Sequence, residues 1–268
     1  MKRPRFGKNL RRGVYVIPTL FTIFNIFFGF RCIINSILAL DDIALGRGTE
    51  AAMGHFEHAC LALLIAAVMD TFDGMVARQL GATSEFGKEY DSLADVVTFG
   101  CAPAVLVYAW ALRMFENLGA GFAFLFLIAV SLRLARFNVM TGKTDYRYFV
   151  GLPSPAGALT IAAIIFYAPA PVTDRRFAMV MMVVTTCVAF AMVSPIRWRS
   201  QKGINVERAR SLMFLLVLVA MFAVATRWPK EFLFGAAICY FISGPLIRLW
   251  SIAFPPRKPA DEVLETPA

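Results

Sequence analysis

The stretch CLALLIAAVMDTFDGMVARQLGATSEFGKEYDSLADVVTFGCAPA, Cys60 to Ala104, decides how the chain is read. An apolar run ends in Asp70 and Asp73, a short polar connection follows, and a second apolar run begins with Asp91 and Asp95. Runs of this kind read as membrane-spanning helices. Asp70 and Asp73 stand i, i+3 on the first helix, and Asp91 and Asp95 stand i, i+4 on the second. Each spacing puts two carboxylates on one helical face. The short connection makes the helices antiparallel, so the four acids converge near one membrane surface. An ionisable group inside a membrane costs about 3 kcal/mol on insertion scales and marks function by default. Four adjacent carboxylates repel one another unless something positive lies between them. Ligation by oxygen alone selects hard divalent cations, Mg²⁺ or Mn²⁺, over zinc. Two such ions about 4 Å apart form the arrangement used on phosphoryl substrates.

The rest of the chain agrees with a membrane setting. Of 268 residues, 59% are hydrophobic and 17% charged, and the mean hydropathy is +0.65. A water-soluble globule of this size cannot hide so much apolar side chain. Disorder, a disulfide scaffold and a collagen-like fibre are excluded by the same figures. The five cysteines are scattered through apolar stretches without a C-x-x-C pair and read as small buried hydrophobes. The expected fold is an all-α polytopic bundle of about eight spans: 14–39, 57–78, 92–112, 118–137, 152–170, 176–196, 211–227 and 231–252. Residues 1–268 form one domain, with a catalytic core over about 14–196 and a Pro-rich, charged tail over 254–268 that is expected to be flexible. The apolar run from Val14 to Leu40 is too long for a signal-peptide core and is expected to remain as the first span.

The net charge of +9 is assigned to topology rather than to nucleic acid. With both termini in the cytoplasm, twenty Lys and Arg fall on the cytoplasmic side and six on the other, with Arg31 inside a span. The 25 phenylalanines face lipid or the bundle core and do not make a base-stacking platform.

Around the acids, Gly74 leaves room for a ligand or helix to approach, Ala77 lies one turn along, and Arg78 is a cation at the water boundary suited to a phosphate oxygen. Asp70, Asp73, Gly74, Ala77, Arg78, Gly87, Asp91 and Asp95 together match the signature of the CDP-alcohol phosphatidyltransferases in every position, and the chain is identified as resembling that family. Its members displace CMP from a CDP-linked lipid or alcohol with a second alcohol. The resemblance implies that Asp70, Asp73, Asp91 and Asp95 hold two divalent cations, with Asp95 also the general base. It implies that Asn25, Gly74, Ala77, Arg78, Thr83 and Gly87 border CDP-diacylglycerol. A homodimer in a bacterial inner membrane, with its site at the cytoplasmic interface, is carried by the same resemblance.

Further segments resemble those of the serine-accepting branch of that family. These are Pro18-Thr19 with Thr22 and Asn25, DSLADVVTFGCAPA (Asp91–Ala104), RLARFN (Arg133–Asn138) and GLPSP (Gly151–Pro155). The expected reaction joins CDP-diacylglycerol and L-serine to give phosphatidylserine and CMP. Choline, glycerol 3-phosphate or an inositol phosphate are the alternative acceptors. Serine carries an α-carboxylate and needs a cation, for which Arg133 and Arg136, with Asn138 beside them, are the candidates. GLPSP reads as a rigid turn. His55 and His58 form an H-x-x-H pair expected on the face opposite the acids. A cation carrier would place acids in several spans, whereas here they gather on two. A membrane scaffold would leave the eight-residue pattern without a purpose.

Overall fold

The computed structural model describes residues 16–79, 84–140, 148–199, 221 and 224–253. Among these, the elements are α1 (Val16–Ala44), α2 (Thr49–Gln79), α3 (Glu85–Asp95), a π-helical turn (Val96–Cys101), α4 (Ala102–Trp110), a 3₁₀ turn (Leu112–Phe115), α5 (Glu116–Met140), β1 (Tyr148–Val150), α6 (Ser154–Tyr167), α7 (Arg175–Val193), β2 (Arg197–Arg199) and α8 (Pro229–Ala253). The all-α expectation holds. The two three-residue strands, an antiparallel clip pairing Phe149 with Trp198, carry no sequence signal that a hydropathy reading detects.

Among the described residues, six helical segments are long and apolar enough to cross a membrane: 19–44, 49–76, 85–110, 112–139, 175–193 and 229–250. This makes the chain an integral membrane protein. The expected span 152–170 is shorter in the structure. α6 has 14 residues and ends where Pro169 and Pro171 stop helical pairing. At about 21 Å it falls short of the roughly 30 Å hydrocarbon core. It is tolerated because protein surrounds it, with Ser154, Gly157, Ile161 and Ile165 all buried. The candidate span 211–227 lies largely outside the described residues, as do the tail and both termini, so the total of eight and the orientation are not read from the structure.

α1 and α2 form the most extensive helix pair. Ala39, Ala52, Ala59 and Ala66 are fully buried. Lipid tails are as apolar as the helices, so small residues that let backbones approach are what favours association. Hydroxyls in the spans are satisfied locally: Ser36, Thr71, Ser131 and Thr160 each donate to the carbonyl four residues back. Phe24, Leu132, Phe190 and Leu249 face outward, as a lipid-facing surface requires.

The third span changes register immediately after Asp95. Pro103 has no N–H to give Phe99, and its ring crowds that carbonyl. The π turn over Val96–Cys101 absorbs the mismatch. Thr98, fully buried in this turn, donates to the Asn25 carbonyl at 3.2 Å. Gly29 packs against Thr98 so closely that a Cβ there would come within 2.5 Å of Thr98 Oγ1. α1 is thereby locked against the helix that carries Asp91 and Asp95.

Candidate active site

The four acids come from two helix ends. Asp70 and Asp73 lie in the last turns of α2. Asp91 and Asp95 lie on α3, whose start is set by Ser84: its hydroxyl accepts from Gly87 N–H at 2.9 Å. A Cβ at Gly87 would crowd that hydroxyl at 3.0 Å, so Gly87 serves the cap here. Oxygens of Asp70, Asp91 and Asp95 lie within 4.8 Å of one another. Asp73 lies beside the three-carboxylate group, only 5% exposed, and its Oδ2 accepts from Thr22 Oγ1 at 3.2 Å.

This cluster fits a divalent cation. Asp91 Oδ1 and Asp95 Oδ1 are buried with no protein partner. An unmatched anionic oxygen in a buried site is costly unless a cation meets it, and the donor set is all carboxylate. His55 and His58 take no part. His55 Nε2 lies 3.4 Å from Asp42 Oδ2 and its Nδ1 lies 3.4 Å from Asn35 Oδ1, near the other end of α2.

Asn25 is fully buried, and neither its amide nitrogen nor its amide oxygen has a partner. It stands one turn after Thr22 on α1, on the side that meets Asp73. Gly74 lines the same cavity as Asp70. Ala77 and Arg78 belong to the last turn of α2, but their side chains lie outside the described residues, as does Thr83.

The three acceptor candidates separate. Arg133 lies within electrostatic reach of Asp95, Asp70 and Tyr240, and its Nη1 donates to Ser154 Oγ at 2.8 Å. Its Nε is buried without a partner. Arg136 instead donates from Nη1 to the Val193 carbonyl at 3.3 Å. That is the C-terminal end of α7, where a cation complements the exposed carbonyls, and the structure does not bring Arg136 to the carboxylates. Asn138 donates to Ser92 Oγ at 3.0 Å, which ties the end of α5 to α3 beside Asp91. The turn expected at GLPSP is present: Gly151 has φ +84, a Cβ there would strike the Met192 carbonyl, and Gly151 N–H donates to Ile196 at 2.8 Å. This turn delivers Ser154 to Arg133.

A cavity of about 860 Å³ opens beside the acids, between α2, α6 and α8. Asp70, Gly74, Pro153 and Tyr240 lie at one end, and Leu64, Leu159 and Leu233 are among its apolar walls. Sequence reading takes in Ser154 only as part of the GLPSP turn and assigns no role to Tyr240 or α8. Tyr240 belongs to no motif of spaced polar groups, and only the packing of α8 on α6 brings it to the site.

An apolar cavity running into a cluster of membrane-embedded acids defines a lipid-handling membrane protein. The model of the CDP-alcohol phosphatidyltransferase family matches residues 15–193, more than half of the chain, and the chain belongs to that family. It is similar to the CDP-diacylglycerol–serine O-phosphatidyltransferase of Helicobacter pylori strain 26695: 31% identical over 255 residues, covering 92% of this chain and 98% of the relative. The enzyme of the same name from Bacillus subtilis strain 168 is 35% identical over 145 residues, 53% of this chain and 75% of the relative. The archaetidylserine synthase of Methanothermobacter thermautotrophicus is 36% identical over 158 residues, 58% of this chain and 64% of the relative.

Proposed function

We propose that this chain transfers the phosphatidyl group of CDP-diacylglycerol to the hydroxyl of L-serine, giving phosphatidylserine and CMP. The observation that carries the reading is one constellation: a three-carboxylate cluster with an apolar cavity and the incompletely paired Arg133 beside it. The relatives named for serine support the choice of acceptor.

Each substrate has a place. The acyl chains lie in the cavity between α2, α6 and α8. The pyrophosphate lies over the carboxylates, with Asn25, Gly74 and Arg78 at the nucleotide side. Asp70, Asp73, Asp91 and Asp95 would hold two divalent cations, Mg²⁺ or Mn²⁺. Such ions neutralise the pyrophosphate and stabilise charge developing on the phosphoryl oxygens.

Arg133 binds the serine carboxylate in a charge-assisted pair. Because Asp95 lies beside Arg133, the bound serine presents its hydroxyl to Asp95. Asp95 accepts the hydroxyl proton as the serine oxygen attacks phosphorus in line. The bond from serine oxygen to phosphorus forms as the bond from phosphorus to the bridging oxygen of CMP breaks, and CMP leaves with the electron pair. A carboxylate is a weak base for an alcohol, so proton transfer is concerted with attack. No covalent enzyme intermediate is required. The homodimer, the inner-membrane location and a site facing the cytoplasm belong to the same proposal.

The test is CMP release from CDP-diacylglycerol by purified protein, with serine, choline, glycerol 3-phosphate and inositol phosphate supplied in parallel. Release with serine alone is expected. Release driven by another acceptor would keep the phosphatidyl chemistry and remove serine.

A further inference from the structure

Phe166 lines the end of the cavity far from Asp70, and beside it side chains of α2, α6 and α8 meet. Glu57 on α2 is ion-paired with Lys230 on α8. Lys230 Nζ also lies 5.5 Å from the ring centroid of Phe166 on α6, and Phe166 lines the cavity. Tyr167 stacks on Phe234 beside this point, with centroids 4.9 Å apart. We propose that Glu57, Lys230 and Phe166 form an end stop that sets the acyl-chain length the enzyme accepts. This inference rests on the reading of the cavity as the acyl site.

Dimensions support it. From Asp70, at the reacting end, to Cys60 the cavity lining on α2 rises about 15 Å. An extended hydrocarbon chain advances about 1.3 Å per carbon, from a C–C bond of ~1.5 Å, so this depth holds roughly eleven carbons, and the end of a longer chain meets the stop.

The membrane is as apolar as the cavity, so burial alone does not discriminate between chains. Fit does. A chain that is too short leaves a void, and one that is too long must displace Phe166 or break the ion pair. Each misfit of methyl size is expected to cost about fivefold in kcat/KM, the equivalent of ~1 kcal/mol.

The pair also joins the most lightly packed spanning helix among the described residues to the rest of the bundle. The apolar stretch of α8 is 6% buried, against 39% for α2. Its other anchor is Gly244, where the Trp198 ring packs so closely that any Cβ would collide. α8 is therefore held at both ends across the cavity, and a change at the outer anchor alters cavity depth while leaving Asp70 and Tyr240 in place.

The experiment measures serine-dependent kcat/KM for CDP-diacylglycerols whose saturated chains increase in length. The wild type is compared with Phe166→Ala, with the double variant Glu57→Gln and Lys230→Met, and with Ala237→Phe, which fills the cavity part-way. The first two are expected to move the preferred length upward and Ala237→Phe to move it downward, each changing the long-to-short ratio by about fivefold. Lys230→Arg, which keeps the pair, should keep the wild-type profile. Unchanged profiles in the three altering variants, with activity retained, would overturn the end stop. Absence of serine-dependent turnover in the wild type at every length would instead overturn the functional reading beneath it. If Phe166→Ala fails to fold, Ala237→Phe, on the lightly packed α8, still decides the question.

Discussion

Arg133 and Ser154 are joined across α5 and α6 by a 2.8 Å hydrogen bond, and that bond holds the guanidinium beside Asp95 and Asp70. The Gly151 turn places Ser154, so a backbone feature far from the acids orients the cation facing them. Arg133 uses Nη1 on Ser154 and leaves Nε buried without a partner. In the proposed reaction the serine carboxylate would supply what is missing.

Replacing Arg133 with Gln should therefore raise the serine KM by roughly 10- to 100-fold, the range of about 1.5–3 kcal/mol for a hydrogen bond to a charged group, with the KM for CDP-diacylglycerol changing much less. Arg133→Lys should recover part of the loss, because the ammonium keeps the charge but not the fork. Arg136→Gln should leave the serine KM unchanged, since Arg136 is spent on the Val193 carbonyl. Steady-state kinetics with each substrate varied in turn checks all three. An unchanged serine KM in Arg133→Gln, from normally inserted protein, would move the carboxylate elsewhere.

Asp95→Asn keeps the volume of the side chain and removes its basicity. The expected result is a fall in kcat of about 10²–10⁴-fold, the usual contribution of a positioned general base, with CDP-diacylglycerol binding largely retained. Single-turnover CMP release with bound lipid is the measurement. A kcat within tenfold of wild type would assign the proton to another acceptor.

Mg²⁺ or Mn²⁺ should raise the melting temperature of the purified protein. Saturation at a hundredfold over Kd adds about 2.7 kcal/mol of stability. A chelator should abolish both that increment and activity. Asp91→Asn should lose the metal-dependent shift, because Asp91 contributes to the only such group of acids among the described residues. Differential scanning in detergent, with and without each ion, reads this independently of turnover. A metal-dependent shift of wild-type size in Asp91→Asn would exclude Asp91 as a ligand.

Gly29→Ala should be destabilising by about 1–3 kcal/mol, the usual cost of overpacking, because its Cβ would lie 2.8 Å from Thr98 Cα and neither backbone can yield freely. The loss should carry activity with it, since Thr98 lies in the turn directly after Asp95. Gly54→Ala, where a Cβ meets nothing within 4 Å, is the control and should be neutral. Thermal unfolding of the two variants compares them. Equal melting temperatures would show that α1 and the π turn are not rigidly coupled.

The features legible in the sequence are those with a one-dimensional signature. Apolar run length marked seven segments that are helical among the described residues, most with ends within a few residues of the expected ones. The i, i+3 and i, i+4 spacings showed that Asp70 with Asp73, and Asp91 with Asp95, share helical faces. Arg133 and Arg136 were indistinguishable by the same logic, because hydropathy and charge do not say which cation meets a carboxylate and which meets a helix end. Gly87 was read as a signature position bordering CDP-diacylglycerol, and the structure adds its part in the Ser84 cap. α8 looked generic because a lipid-facing helix needs little more than apolar residues, and Tyr240 within it has no spaced partner to announce it.

The linear chain thus determined the membrane setting, the family and the placing of four acids on two helix faces, since each depends on residue type at fixed short spacing along a helix with a known period. Tertiary packing alone decided which arginine faces that cluster, where the cavity beside Asp70 ends, and that Glu57 and Lys230, 173 residues apart, form an ion pair. Those outcomes depend on contacts between helices distant in sequence. In a bilayer, small-residue fit and a few polar contacts set such contacts, and neither leaves a periodic trace in the sequence.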